Sequence, residues 1–296
     1  MPDNRPERAT TREITEADRH EICAFLARGF HYPVSFYEEL FDKLARRDAP
    51  EGYPRFGYAI RAGGRIVGSI FLIFTRMREN GADFIRCHVT SWCVEQEYRA
   101  VAALFFARGL RFPNVDYINV SAGAWTRPII ESQGFRRYSN GQFYVKTPLA
   151  ALRREAGRVL KTADASRAAS IDPVERKLLD EHEGFGCVSL WVQTSDAMFP
   201  FVFHRRLYRN LIPGAQLVYS RDIDSFAQFA GPLARALLRR GALVMSVDAN
   251  AAIVGLPGRY IPGKDQRFCK GRQPRQGDLA YTQLAMCRFV RGDHGG

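Results

Sequence analysis

A strand that ends in a polar turn and passes directly into a helix is the part of this sequence best suited to chemistry. Residues 91–94 are β-prone, residues 95–99 (Glu-Gln-Glu-Tyr-Arg) are polar, and a helix is predicted over residues 100–111. A helix N-terminus placed after a strand presents free backbone N–H groups and the positive end of the helix dipole. Because these two features together bind phosphate, the stretch predicts a phosphate site built from backbone.

The flanking segments supply the elements that must position this turn. Apolar runs flank Gly63-Gly64 and predict a hairpin of residues 58–61 and 65–75, and residues 84–94 form the next strand. After the turn, residues 117–121 predict a short strand, and Thr126 with Pro128 predicts the start of a short helix. That helix ends in Glu131-Ser132-Gln133-Gly134-Phe135.

This order of strand, polar turn, helix, strand, helix and Gly-Phe resembles the cofactor half of the GNAT superfamily of acyl-CoA acyltransferases. The resemblance covers roughly residues 12–147 and implies acetyl-CoA or another acyl-CoA as the cofactor. In that superfamily the cofactor enters a cleft where two parallel strands splay apart, and its pantetheine arm pairs with an exposed strand edge. Carried onto this sequence, that edge is the backbone of Trp92, Cys93 and Val94.

The superfamily's phosphate turn has the pattern Arg/Gln-x-x-Gly-x-Gly/Ala, and this sequence follows it in part. Arg99 matches the first position, whereas Ala102 stands where Gly is usual and Leu104 stands where Gly or Ala is usual. The second signature, Tyr-x-x-x-Gly-Phe, is matched at Gly134 and Phe135, but Ile130 occupies the tyrosine position. The cofactor-binding residues implied by the resemblance are Trp92, Cys93, Val94, Arg99, Ala100, Val101, Ala102 and Ala103.

Two polar residues near the expected thioester are the candidates for catalysis. Acyl transfer from a thioester needs an acceptor that loses one proton and a donor for the developing oxyanion, without a covalent nucleophile. His88, on the strand before the turn, is the candidate proton acceptor, and Asn119, on the neighbouring strand, is the candidate orienting group. The alternative for each is a polar side chain satisfied within the sheet. Tyr138 and Tyr144 are the candidates to replace the tyrosine missing at Ile130.

The length of 296 residues suits two domains. The GNAT resemblance and the order of elements imply an α/β (α+β type) protein with a twisted mixed sheet flanked by helices in each domain. The Ala/Arg/Ser-rich residues 148–170 are interpreted as a linker. Residues 171–290 repeat the order strand, strand, strand, helix, strand, with the helix over residues 224–240. This order favours a second, degenerate GNAT-like domain, in which residues 249–277 are expected to form a Gly/Pro/basic loop.

The basic excess lies mostly in the second half of the chain. The formal net charge is +12, of which +4 falls in residues 1–150 and +8 in residues 151–296. Such a charge favours anionic partners. The leading function is the one that the GNAT resemblance implies, acyl transfer to an amine or hydroxyl of an unidentified acceptor. The alternative is a non-catalytic tandem-GNAT module that binds an anionic partner through its basic second half, with Arg267, Lys270 and Arg272 as the contacts.

The sequence lacks the motifs of several other classes of protein. The six cysteines form no Cys-x-x-Cys pair, so we expect reduced thiols and no metal site. No secretory signal or membrane span is expected, and the protein is interpreted as cytoplasmic. Residues 258–265 match a P-loop except for Asp265, which stands where Ser or Thr holds magnesium. No nucleic-acid-binding motif occurs, so nucleic acid is not an expected partner; the sequence does not specify an oligomeric state.

Overall fold

The computed structural model describes residues 8–79, 81–165 and 171–287. These residues divide into two compact units. Unit 1 runs to Arg136 and includes Phe268–Gln273, and unit 2 comprises Arg137–Arg267 and the chain from Pro274 onward. The sequence predicts the boundary between the two domains in residues 148–170 instead. That segment holds strand and helix, and its residues 166–170 lie outside the described residues.

Unit 1 is a mixed sheet flanked by helices. Its strands are β1 (Thr10–Glu13), β2 (Gly57–Ala62), β3 (Arg65–Glu79), β4 (Ala82–Val94) and β5 (Val115–Asn119). Its helices are α1 (Arg19–Phe30), α2 (Val34–Arg46), α3 (Ala102–Gly109) and α4 (Arg127–Ser132). The strands lie in the order β1-β2-β3-β4-β5, all neighbours being antiparallel except β4 and β5, which run parallel.

A continuous apolar run explains why β3 is buried on both faces, with Phe71 and Ile73 buried as completely as the residues between them. In β3, Ile70, Leu72 and Phe74 face the core that also contains Phe105 and Phe106 of α3. The predicted hairpin and the strand over residues 84–94 correspond to β2, β3 and β4. The predicted short strand and helix correspond to β5 and α4. Strand β1 begins at Thr10, and residues 1–7 lie outside the described residues.

Unit 2 is also a mixed sheet with flanking helices. Its strands are β6 (Arg136–Lys146), β7 (Arg158–Lys161), β8 (Val188–Gln193), β9 (Met198–Tyr208), β10 (Ile212–Ser220), β11 (Val244–Ala249) and β12 (Gly258–Lys270). The helices are α5 (Thr147–Ala151), α6 (Thr162–Ala165), α7 (Pro173–Gly184), α8 (Ile223–Gln228), α9 (Ala230–Leu238) and α10 (Gln283–Met286). The strand order is β12-β6-β11-β10-β9-β8-β7, with β10 and β11 parallel. Arg136 and the last three residues of β12 belong to unit 1, where Phe268, Cys269 and Lys270 pair with β5.

Two expectations about the second half were wrong. The helix predicted over residues 224–240 is two helices, α8 and α9, because the chain leaves the helical path at Phe229. The basic loop predicted over residues 249–277 contains the 13-residue strand β12 in its middle. Its glycines and prolines suggested a loop, but residues 267–269 (Arg-Phe-Cys) are buried in the sheet.

Taken together, the predicted fold class is confirmed: the chain is a mixed α/β protein in which helices flank mixed sheets. All six cysteines are free thiols. No helix within the described ranges is long and apolar enough to cross a membrane.

A buried ion pair ties four neighbouring strands of unit 2 together. Asp248 of β11 is fully buried and accepts hydrogen bonds from Arg267 Nε at 2.9 Å and from Arg267 Nη2 at 3.1 Å. The amides of Gln142 on β6 and Gln216 on β10 also donate to Asp248. Burial disfavours the charged form of Arg267, but the Asp248 and Asp265 carboxylates outweigh it and raise the pKa of Arg267.

The variant Asp248→Asn is expected to destabilise unit 2 strongly, because it leaves the Arg267 charge buried without its counter-ion. Breaking such a pair costs about 3–5 kcal/mol. Urea denaturation followed by circular dichroism measures the change. Asp180→Asn, at an exposed site on α7, is the control and should be neutral. The double variant Asp248→Asn/Arg267→Gln should recover part of the loss, and a double variant no more stable than Asp248→Asn alone contradicts the charge argument.

Candidate active site

The cleft of unit 1 opens where the parallel strands β4 and β5 stop pairing. Their register runs from Ile85–Val115 to His88–Ile118. Beyond that pair β5 ends at Asn119, whereas β4 continues six residues further to Val94. On its other side β4 remains paired with β3, since Cys93 lies opposite Ser69 and Val94 opposite Gly68. The β5-facing edge of residues 92–94 therefore lies beyond the end of the β4–β5 ladder.

A β-bulge in β4 turns the strand away from β5. The β3–β4 register shifts between Phe71–Thr90 and Ser69–Cys93, so that two residues of β4, Ser91 and Trp92, lie opposite Ile70 alone. Ser91 has φ +49°, in the left-handed region that non-glycine residues rarely adopt. A bulge bends its strand and increases the local twist. The strand edge predicted to hold pantetheine thus begins at a deformation that the sequence pattern did not reveal.

The polar turn after β4 forms a 3-10 helix over Gln96–Val101 that passes directly into α3. Arg99, Ala100, Val101 and Ala103 are exposed on this turn, while Ala102 is buried. Phe105 and Phe106 anchor the helix in the core. The Tyr98 N–H donates to the Glu95 carbonyl and the Ala102 N–H to the Arg99 carbonyl, so the helical start with free N–H groups lies at the beginning of this turn, directly after Glu95.

Of the charges around the turn, Glu95 is paired and Arg99 is exposed. Glu95 accepts a hydrogen bond from Arg65 at 2.6 Å, so its charge is largely balanced. Arg99 forms no ion pair with any described residue. It lies close enough to Cys93 to favour the thiolate, but burial outweighs it and raises the pKa of Cys93. A half-buried thiol with a raised pKa is a poor nucleophile.

Trp92 and Cys93 fix the end of β4 against the helices. The Trp92 ring packs on Phe106 of α3 with centroids 4.6 Å apart. Cys93 faces α1, where a methyl group added at Gly29 would lie 2.5 Å from its Sγ atom. Both side chains are thus committed to packing, and what Trp92, Cys93 and Val94 offer to a ligand is backbone.

The two catalytic candidates lie on opposite faces of the sheet. His88 is paired with Ile118, and directly paired residues project to the same face. Asn119, the next residue of β5, is paired with Phe268, which belongs to the core beneath α3. The Asn119 Oδ1 atom accepts a hydrogen bond from the Ser121 N–H at 3.1 Å. The structure therefore places both residues beside the end of the β4–β5 ladder without bringing their side chains together.

Departures from the GNAT motif take two forms. Leu104 is 75% exposed on the first turn of α3, so its side chain can move without disturbing the core. Ile130 is fully buried in the core of unit 1 and supplies no proton donor. Tyr138 and Tyr144, the candidate replacements, belong to β6 in unit 2.

Comparison with solved structures identifies the fold. A scan against protein-family models and a search of curated proteins each found no match to this sequence. Among solved structures, a GCN5-related N-acetyltransferase from Anabaena variabilis superposes with a TM-score of 0.62 at 10% identity, covering 88% of this chain and 72% of that one. A GCN5-related N-acetyltransferase from Kribbella flavida superposes with a TM-score of 0.53 at 13% identity, covering 89% and 71%.

These two superpositions agree with the resemblance of the polar turn and the Gly-Phe motif. The chain has the fold of the GCN5-related N-acetyltransferases.

Proposed function

We propose that this protein is an acyl-CoA-dependent acyltransferase and that unit 1 holds the acyl-CoA, with acetyl-CoA as the default. The observation that carries the proposal is the edge of β4 left open by the bulge at Ser91 and followed at once by the exposed turn of residues 96–101. An open strand edge pairs with the two amides of pantetheine, and a helix N-terminus binds the pyrophosphate. Both features lie in sequence order along one segment.

The proposed contacts use backbone at every position but one. Trp92, Cys93 and Val94 would pair with the pantetheine arm, and the turn that carries Arg99, Ala100, Val101 and Ala103 would bind the pyrophosphate; the Ala102 N–H already donates to the Arg99 carbonyl. Arg99 would add the one charged side chain, which suits a doubly charged phosphate group. The two solved structures superposed above are named as N-acetyltransferases, and this supports an acyl-CoA ligand.

The proposed reaction is direct attack of an acceptor amine or hydroxyl on the thioester carbonyl. The thioester is activated already, so the enzyme must position the acceptor and remove one proton. His88 is the proposed proton acceptor and Asn119 the proposed donor that orients the carbonyl or a water. Because they lie on opposite faces, an acceptor that approaches from one face meets only one of them directly.

The alternative of a non-catalytic module loses its main contacts. Arg267 is 2% exposed and paired with Asp248, so it is not available to an external anion. Arg272 lies near the carboxylates of Glu79 and Asp116, at 3.4 and 3.8 Å. Two of the three proposed cations are therefore engaged within the chain, and we do not propose this function.

Arg99→Ala is expected to weaken acyl-CoA binding about tenfold, because one charge-assisted hydrogen bond to phosphate is worth about 1.5 kcal/mol. Calorimetric titration with CoA, acetyl-CoA and a longer acyl-CoA measures the effect. The control is Arg108→Ala, which removes the same charge from the far end of α3 and should bind like wild type. Equal affinities for wild type and Arg99→Ala contradict the assignment of the turn.

Ala100→Leu is expected to weaken binding more than Arg99→Ala. Ala100 is exposed on the 3-10 turn, so the larger side chain fits the free protein and leaves its melting temperature unchanged. The leucine side chain would occupy the space that the phosphate needs to reach the backbone of the turn. The same titration tests this. If the variant melts like wild type and binds acyl-CoA equally well, the pyrophosphate does not lie on this turn.

His88→Gln and Asn119→Ala should differ in their effect on turnover. Loss of a general base typically lowers the rate about 10²–10⁴-fold, and only the residue on the acceptor's face should give such a loss. Thiol release from acetyl-CoA with a panel of amines measures turnover, and calorimetry checks that acetyl-CoA still binds. The double variant should match the more damaging single one. Losses that multiply would mean that both residues reach the reacting atoms and that the assignment to opposite faces is wrong.

A further inference from the structure

Unit 2 contains a second cleft of the same construction as the cleft of unit 1. Its parallel strands β10 and β11 pair from Gly214–Val244 to Gln216–Ser246 and then stop, although both strands continue. The register of β10 with β9 shifts between Leu217 and Tyr219, which inserts Val218 as a bulge. Helices α8 and α9 then connect β10 to β11, as α3 connects β4 to β5.

The chain's own residues 277–282 lie at this cleft. The Leu279 N–H donates a hydrogen bond to the Val218 carbonyl at the bulge, with an N–O distance of 2.7 Å. A methyl group added at Gly277 would lie 3.1 Å from Leu217 of β10 and 3.7 Å from Val247 of β11, so Gly277 is close to both strands. Leu279 and Ala280 are buried.

The segment passes from one face of the unit 2 sheet to the other. Leu217 and Val247 belong to the core packed beneath α8 and α9, so Gly277 lies on that face. Helix α7 packs on the opposite face, where Leu179 O accepts a hydrogen bond from Ser189 Oγ at 2.8 Å. The Tyr281 N–H donates to His182 of α7 at 3.1 Å. Between Gly277 and Tyr281 the chain therefore crosses the sheet where β10 and β11 diverge.

Side-chain and backbone contacts hold the segment at both ends. Before it, Arg275 Nη1 donates to the Arg221 carbonyl, at 2.8 Å, in the turn after β10. After it, Cys187 Sγ donates to the Ala285 carbonyl at 3.2 Å, and Thr282 Oγ1 donates to the Leu279 carbonyl at 2.7 Å. Gly277 has φ +78°, a conformation that suits glycine, and the crowding around it leaves little room for a side chain.

We propose that residues 277–282 act as an intramolecular ligand that permanently fills the second cleft, so that unit 2 binds a peptide segment where unit 1 offers an edge to acyl-CoA. The segment turns at Gly277 and at residues 280–281, and between these turns its Leu279 N–H satisfies the Val218 carbonyl as a pantetheine amide would. The chain accordingly binds one acyl-CoA, not two. This last point rests on the function proposed for unit 1, whereas the occupancy of the second cleft does not.

Hydrogen exchange measured by mass spectrometry tests the occupancy directly. In the full-length protein without ligand, the peptide covering residues 277–282 should exchange about 100-fold more slowly than the exposed loop of residues 250–255. Gly277→Ala should accelerate its exchange about tenfold. Gly241→Ala is the matched control, since Gly241 has φ +83° and open space around it, so it adds the backbone strain without the crowding. Exchange of residues 277–282 at the rate of the exposed loop overturns the proposal.

The cofactor is then titrated into the same protein. Acetyl-CoA should bind with a stoichiometry of one, and it should add protection in residues 89–103 and none in residues 216–223. A second equivalent, or new protection in residues 216–223, overturns the proposal. Should acetyl-CoA fail to bind at all, the function proposed for unit 1 falls, and the exchange of residues 277–282 in wild type and Gly277→Ala still decides whether the second cleft is filled.

Discussion

The two parallel strand pairs, β4–β5 and β10–β11, each stop pairing before their strands end, and the rest of each unit is arranged around that interruption. Backbone N–H and C=O groups are obligatory hydrogen-bonding groups, so an interrupted ladder needs another partner. In unit 2 a segment of the same chain reaches the interrupted edge, with Leu279 bonded to Val218. In unit 1 the ladder ends at His88–Ile118 and an exposed helical turn follows. The same geometry thus produces a scaffold in one unit and a proposed ligand site in the other.

The last paired residue of each ladder has a different environment in the two units. His88 of β4 is paired with Ile118, and Gln216 of β10 is paired with Ser246. Gln216 belongs to the buried network of Asp248 and Arg267, whose charges are satisfied within the sheet. Such a network is costly to disturb, because any broken bond leaves a buried polar group unsatisfied. Buried hydrogen bonds therefore hold Gln216 in place at the end of the β10–β11 ladder, whereas the candidate base His88 lies at the end of the β4–β5 ladder.

The sequence predicted those parts of the fold that depend on local pattern. Apolar runs on either side of Gly63-Gly64 predicted β2 and β3, and the polar turn into a helix predicted the end of β4 and α3. The bulge at Ser91 was not predictable, since it depends on the register between β3 and β4, which is set by distant residues. For the same reason the sequence placed His88 and Asn119 beside one cleft but gave no means to see that their side chains project to opposite faces.

Charge was the least reliable guide to function because its effect depends on burial. Residues 255–277 read as a basic loop, yet Arg267 lies in β12 with its guanidinium between carboxylates. A cation counts toward binding an external anion only when it is exposed and has no internal counter-ion, since a buried pair already uses its electrostatic energy. By that criterion Arg99, a single exposed arginine on the turn after β4, matters more to the proposed function than the net charge of +12. Ligand binding here depends on where the backbone is left open, and charge adds to it at that one position.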